Sequence, residues 1–272
     1  MERLKKALDL AREERTQALQ RVVELPRDRS AVQATATTLN FPHTRHALVD
    51  PEVLRKQGVM APDASGPVGP AFKMLRTQVL QRLRQNGWNT LAIISPAPDD
   101  GKTFTAVNLA VAIAGDTNHT ALLVDFDLHR PSVHERFGLE PEVGVDQCLR
   151  GEVPVARALV HPQGYRQLLL LPATAPVKNS SELLGSQRTR RLVRELKERY
   201  SNRIVLFDLP PVLGADDALT FAPQVDAALI VVGEEHTRRE DLVRCFEILR
   251  NVPILGTVLN GSRSDAALEY SY

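Results

Sequence analysis

The chain has 272 residues, 43% hydrophobic and 25% charged, with a formal net charge of +1. That suffices for one large α/β domain with an extension, and its charge balance gives no global reason to expect a nucleic-acid partner. The longest apolar run, 227–232, falls far short of the roughly 20 residues of a membrane span, and charges throughout the N-terminus leave no signal-peptide core.

Residues 1–25 place Leu4, Leu8, Ala11, Ala18 or Leu19, and Val22 at helical spacing among charges, an amphipathic helix that either packs on its own domain or docks a partner helix. Residues 26–70 carry Pro26, Pro42, Pro51, Pro62, Pro67 and Pro70 in a polar stretch whose only helix-like piece is 51–57, and read as a linker able to wrap the domain surface. The domain proper is expected over 71–261, opening on a helix with Phe72, Leu75, Val79, Leu80 and Leu83 inward and Lys73, Arg76 and Arg82 outward. Apolar runs at 91–94, 121–126, 168–171, 204–207, 227–232 and 254–259 then alternate with helical segments at 103–114, 181–200, 215–221 and 238–249. Strands apolar end to end, separated by helices, predict a parallel sheet covered on both faces. Ligands of such sheets sit beyond the carboxyl ends of the strands. Cys148 and Cys245 have no metal or redox spacing and read as reduced, Cys245 as a small core residue of a helix. A cytoplasmic location is expected.

Three strand ends carry chemistry. The first runs into Gly101-Lys102-Thr103 and a helix, the layout of a phosphate loop: Lys102 would reach the β- and γ-phosphates and the Thr103 hydroxyl would ligate Mg²⁺. In the template G-x-x-x-x-G-K-[ST] the first glycine is Pro96 here, so the motif is incomplete. The second ends Asp125-Phe126-Asp127, either a solvated turn or two carboxylates facing a metal. The third ends Phe207-Asp208-Leu209-Pro210-Pro211, an apolar strand closing on a Walker B aspartate. Each signal is weak alone, but in this order they point together to a nucleotide site. Asn260-Gly261 closes the last run, either as a reader of an adenine edge or as a turn.

The stretches GKTFTAVNLAVAIA, ALLVDFDLHRPSVHERFGL, LLLLPATAP, SSELLGS, RIVLFDLPPVLGADDAL and VPILGTVLN resemble the bacterial tyrosine autokinases (BY-kinases) of exopolysaccharide export, over roughly residues 71–260. The resemblance is greatest to the soluble, exosortase-associated branch. It implies a P-loop NTPase-like α/β fold with an N-terminal helical extension, and ATP and Mg²⁺ as cofactors. It further implies nucleotide contacts from Asp100, Gly101, Lys102, Thr103, Phe104 and Asn260, metal contacts from Thr103, Asp127 and Asp208, and catalytic roles for Lys102, Asp125 and Asp127. One of the paired aspartates would orient or deprotonate the tyrosine hydroxyl, the other assist the metal. The phosphoacceptors would be Tyr270 and Tyr272 of a tail at 262–272. The implied partners are further copies of the chain in a ring and a chain-length-determinant (Wzz-like) inner-membrane protein, which would hold the chain peripherally at the membrane.

The chain also departs from the family pattern. A usual G-P-G-E-G-K is Ala97-Pro98-Asp99-Asp100-Gly101-Lys102, so Asp99 must face solvent if a phosphate is to be held. At an effective dielectric of 20, a carboxylate 4 Å from a phosphate charge costs about 4 kcal/mol. His129 stands at a usual arginine, and Pro70 and Lys73 replace a Glu and an Arg of the ring-forming helix. The main alternative is therefore a catalytically weak nucleotide-binding scaffold of the same export machinery. An ATPase switch of the partition or division-site type is a third reading, but its signature lysine is Ala97 here.

Overall fold

The computed structural model describes residues 44–63, 68–199 and 202–262. The 1–25 helix, much of the 26–70 segment and the tail tyrosines Tyr270 and Tyr272 lie outside the described residues. In chain order the strands are β1 (Arg45–Ala47), β2 (Thr90–Ile94), β3 (Thr120–Asp125), β4 (Val160–Pro162), β5 (Leu168–Leu171), β6 (Arg203–Asp208), β7 (Ala227–Gly233) and β8 (Ile254–Asn260). The helices are α1 (Pro51–Lys56), α2 (Gly69–Asn86), α3 (Lys102–Ala114), α4 (Val133–Arg136), α5 (Val145–Arg150), α6 (Val155–Ala158), α7 (Ser180–Leu184), α8 (Gln187–Glu198), α9 (Asp217–Phe221) and α10 (Arg239–Ile248).

The strands form one eight-stranded sheet in the order β1-β4-β5-β3-β6-β2-β7-β8. Every neighbouring pair from β5 to β8 is parallel. β4 runs antiparallel to β5, and β1 parallel to β4. Alternate side chains feed two cores. Leu91, Ile93, Leu123, Leu206 and Leu229 meet α2 and α3 on one face. Ala92, Ile94, Val124, Phe207 and Ile230 meet residues of α5 and α7 to α10 on the other. Burial on both faces is why these strands are apolar at every position. β6 lies between β2 and β3, pairing Ile93 with Asp208 and Asp125 with Asp208, so three chemistry-bearing strand ends share one rim.

The domain begins well before Ala71. Within the segment whose composition suggests a linker, residues 45–60 supply β1, α1 and the buried side chains of Leu54, Val59 and Met60. Asn108, buried on α3, fixes this stretch: its Oδ1 accepts from Met60 N at 2.8 Å and its Nδ2 donates to Gly58 O at 2.9 Å. The Tyr165 hydroxyl adds a bond to Met60 O at 2.7 Å. Proline content marks turns here, while burial depends on partners more than 40 positions away. On α2, Arg76 is partly buried and donates to Ala112 O at 3.2 Å, while Arg82 is exposed as expected and reaches Leu255 O on β8. Lys73 is exposed as expected. The helix expected over 181–200 is broken at Gly185-Ser186, where the Ser186 hydroxyl caps α8 by accepting from Thr189 N at 3.1 Å. Among the described residues no helix is long and apolar enough to cross a membrane.

Candidate functional site

The turn after β2 leads into α3, whose N-cap is Gly101 at φ +89° with no side-chain capping bond. Its first-turn amides are thus left for an anion. Gly101 is required on two counts: its φ is left-handed, and a Cβ there would lie 2.0 Å from Asn260 Nδ2. Asp99 has φ +63° and is exposed, so it keeps the backbone reversal of a glycine while its carboxylate faces solvent.

Lys102 Nζ stands 2.6 Å from Asp127 Oδ2, 3.2 Å from Thr103 Oγ1 and 3.8 Å from Asp208 Oδ1. Thr103 Oγ1 donates to Asp208 Oδ2 at 2.6 Å. The phosphate-loop pair, the Walker B aspartate and the second aspartate of Asp125-Phe126-Asp127 therefore converge, as their order along the chain anticipates. Asp125 is different. It is fully buried, and its Oδ2 accepts the amides of Ser132 and Val133 at 3.0 Å each, tying down the turn that starts α4. Asp127 lies just past the strand end, and its Oδ1 accepts Arg130 N at 3.1 Å.

Burial alone would lower the Lys102 ammonium, but Asp208, Asp127 and Asp125 hold it above its ordinary value. Burial pushes Asp125 well above the usual carboxylate range, with the Asp208 charge adding to it and the Val133 amide and Lys102 opposing. Asp208 is also raised by burial, against Lys102 and the Thr103 hydroxyl. Asp125 Oδ1 and Asp208 Oδ1 are buried without a hydrogen-bond partner. A site with excess acid, orphaned carboxylate oxygens and a hydroxyl beside one of them fits a divalent cation. No cluster of three His, Cys, Asp or Glu among the described residues encloses a metal by itself, so a cation here would draw its other ligands from phosphate and water.

No protein-family model matches the sequence. Among curated proteins the chain is 30% identical to the tyrosine-protein kinase YwqD of Bacillus subtilis over 203 residues, 74% of this chain and 84% of YwqD. The chain belongs to the bacterial tyrosine-protein kinase family.

Other members are longer. The tyrosine-protein kinase Etk of Escherichia coli is 30% identical over 205 residues, but these make up 28% of its length. The solved kinase domain of that protein superposes with a TM-score of 0.65 at 29% identity, covering 74% of this chain and 79% of that domain. The cell division ATPase MinD of Pyrococcus furiosus shares the fold more distantly, with a TM-score of 0.56 at 26% identity over 65% of this chain and 74% of that one.

Several residues singled out by the family resemblance also have partners within the protein. Asp100 is wholly buried, and its side chain faces its own loop and the turn after β7. Phe104 packs its ring edge-on to Phe72 at 5.8 Å between centroids. Asn260 turns its amide nitrogen onto Asp100 O at 3.1 Å, bracing the loop. His129, in place of the family arginine, bonds Asp217 Oδ2 at 2.7 Å and Ser180 Oγ at 3.1 Å through Nε2. His236 and Thr237, which contact Asp100, carry no signal in the sequence, because they lie 136 and 137 positions from it.

Proposed function

We propose that the chain is an ATP-dependent protein-tyrosine kinase that phosphorylates its own C-terminal tyrosines, Tyr270 and Tyr272, in the regulation of exopolysaccharide chain length and export. The observation that carries this reading is the meeting of Lys102, Thr103, Asp127 and Asp208 at the ends of β2, β3 and β6. ATP bound at the loop would supply the phosphoryl group, and Mg²⁺ would supply charge neutralisation there. Lys102 Nζ would leave its ion pair to orient phosphate oxygens, while Thr103 Oγ1 and Asp208 would hold the cation with help from Asp127. Asp127, whose side chain is 6% exposed, is the acid a phenol can reach, and its Oδ2 takes the hydroxyl proton. Asp125 acts by holding the Ser132–Val133 turn through Oδ2.

Ring assembly and a chain-length-determinant membrane partner, which would place the chain at the inner membrane, belong to the same proposal. Purified full-length protein given ATP and Mg²⁺ gains phosphate at Tyr270 and Tyr272 by mass spectrometry, and Lys102→Met gains none. Absence of phosphotyrosine, with or without the partner's cytoplasmic segment, overturns the reading.

The competing scaffold reading is motivated by Ala97 and Asp99 standing where family loops have glycine. The exposed Asp99 at φ +63° speaks for a working loop. Ala97→Gly with Asp99→Gly decides between them: near-unchanged ATP affinity supports the kinase, a large gain the scaffold.

A further inference from the structure

We propose that His236 and Thr237 are positioning residues of the phosphate loop, acting through the buried Asp100 carboxylate to hold the 97–101 backbone in the shape that receives a nucleotide's phosphates. The inference rests on the nucleotide-site reading above.

Asp100 is 0% exposed, and each of its oxygens is engaged. Oδ2 accepts the Ala97 amide at 2.8 Å, closing the loop on itself. Oδ1 accepts from Thr237 Oγ1 at 2.6 Å and His236 Nδ1 at 2.9 Å. A carboxylate only accepts, so His236 carries its proton on Nδ1. Thr237 Oγ1 already accepts from Gly233 N at 2.8 Å, which directs its own proton to Asp100. The turn bearing both residues is anchored in its turn, since the His236 and Thr237 amides donate to Gly233 O at 3.2 and 3.0 Å. Gly233 permits the contact: a Cβ there would sit 3.0 Å from Asp100 Oδ1 and 3.3 Å from its Cα.

This loop has a reason to need bracing from outside. Phosphate loops use glycine so that successive amides can turn toward the anion without strain. Here Pro96, Ala97 and Asp99 occupy the run, and Asp99 holds a left-handed φ of +63° that a non-glycine residue adopts only against resistance. The Asp100 carboxylate fixes that backbone by bonding across the turn. Left bare, the same buried negative charge would oppose phosphate and cost desolvation. The donors from the β7 turn offset both penalties, and His236 makes its bond from the surface with its side chain 51% exposed.

The test pairs titration of the full-length protein with a fluorescent ATP analogue in Mg²⁺ and amide hydrogen exchange of the nucleotide-free protein. His236→Ala and Thr237→Val each weaken binding about tenfold to a hundredfold, the scale of a bond to a charged group. Both raise exchange at Ala97 while β2 and β6 stay protected, and the loss in turnover falls on KM for ATP rather than kcat. His236→Asn, whose amide nitrogen takes the place of Nδ1, restores affinity and protection. Unchanged affinity and Ala97 exchange in both variants overturn the inference, as does failure of His236→Asn to restore them while melting normally. A wild-type protein that binds no nucleotide overturns the site reading instead, and the exchange measurement still judges the brace.

Discussion

At the scale of single residues, the site depends on contacts that admit no substitute. Gly101→Ala must place a methyl group 2.0 Å from Asn260 Nδ2 at a φ of +89°. Asn260 must swing away and release Asp100 O, so nucleotide affinity by calorimetry falls at least about tenfold, with α3 intact by circular dichroism. His129→Ala acts on stability. It removes the Asp217 Oδ2 contact while Oδ1 is already buried without a partner, which costs about 1–3 kcal/mol in urea unfolding. His129→Arg restores a donor and recovers most of that loss. The chemistry-bearing residues are legible for two reasons: Asp127 and Asp208 follow apolar runs, and Lys102 and Thr103 stand in a Gly-Lys-Thr motif that opens a helix. The partners of the Asp100 carboxylate are not legible, because no pattern in the sequence shows which way a loop side chain turns.

At the scale of elements, the sheet is tied at its opposite rim by Asp226. Its Oδ2 accepts Asn89 N and Thr90 N at 3.0 Å and Thr90 Oγ1 at 2.8 Å, and Oδ1 pairs with Lys197, joining the starts of β2 and β7 to α8. Burial opposes ionisation, but Lys197 and the donors at Asn89 and Thr90 hold the acid below its ordinary value of 3.8. The folded form therefore binds the proton more weakly than the unfolded one. Its contribution is complete above the ordinary aspartate range and is lost as pH falls through the lowered folded value. Urea midpoints of wild type and Asp226→Asn measured from pH 7 downward should converge below that range, the wild type having more to lose. Both cysteines also report on element packing. Burial, with Asp146 nearby, pushes the Cys148 thiol up to about 11, and burial, with the Asp100 charge, pushes Cys245 up to about 12. Neither should react with iodoacetamide at pH 8 until denaturant is added, as mass spectrometry will show. The central strands β2, β3, β5, β6 and β7 are legible because burial on both faces makes them nearly all apolar, whereas β1 and β4 span three residues each and exist through their neighbours. The helical spacing over 181–200 is interrupted at Gly185-Ser186, where a glycine ends one helix and a serine caps the next.

At the scale of the whole molecule, nucleotide binding should stabilise the entire domain, because the site joins the ends of β2, β3 and β6 at the middle of one sheet. Mg²⁺–ADP at a hundred times its Kd adds about 2.7 kcal/mol. For a domain of this size that raises the melting temperature by roughly 5–10 °C. Differential scanning fluorimetry checks it, and Lys102→Met should lose most of the shift. What the sequence determined by itself was the architecture, the phosphate loop and the aspartates at the strand ends, because these are written in local apolar periodicity and in short motifs. Tertiary structure alone decided that residues 45–60 belong to the fold, that Asp125 anchors a turn while Asp127 meets Lys102, and that the turn after β7 grips Asp100. Those outcomes depend on how the strand ends and turns are brought together, over 7 positions for Asp125 and Ser132, 25 for Lys102 and Asp127 and 136 for Asp100 and His236, and which side chain meets which leaves no local pattern in the sequence.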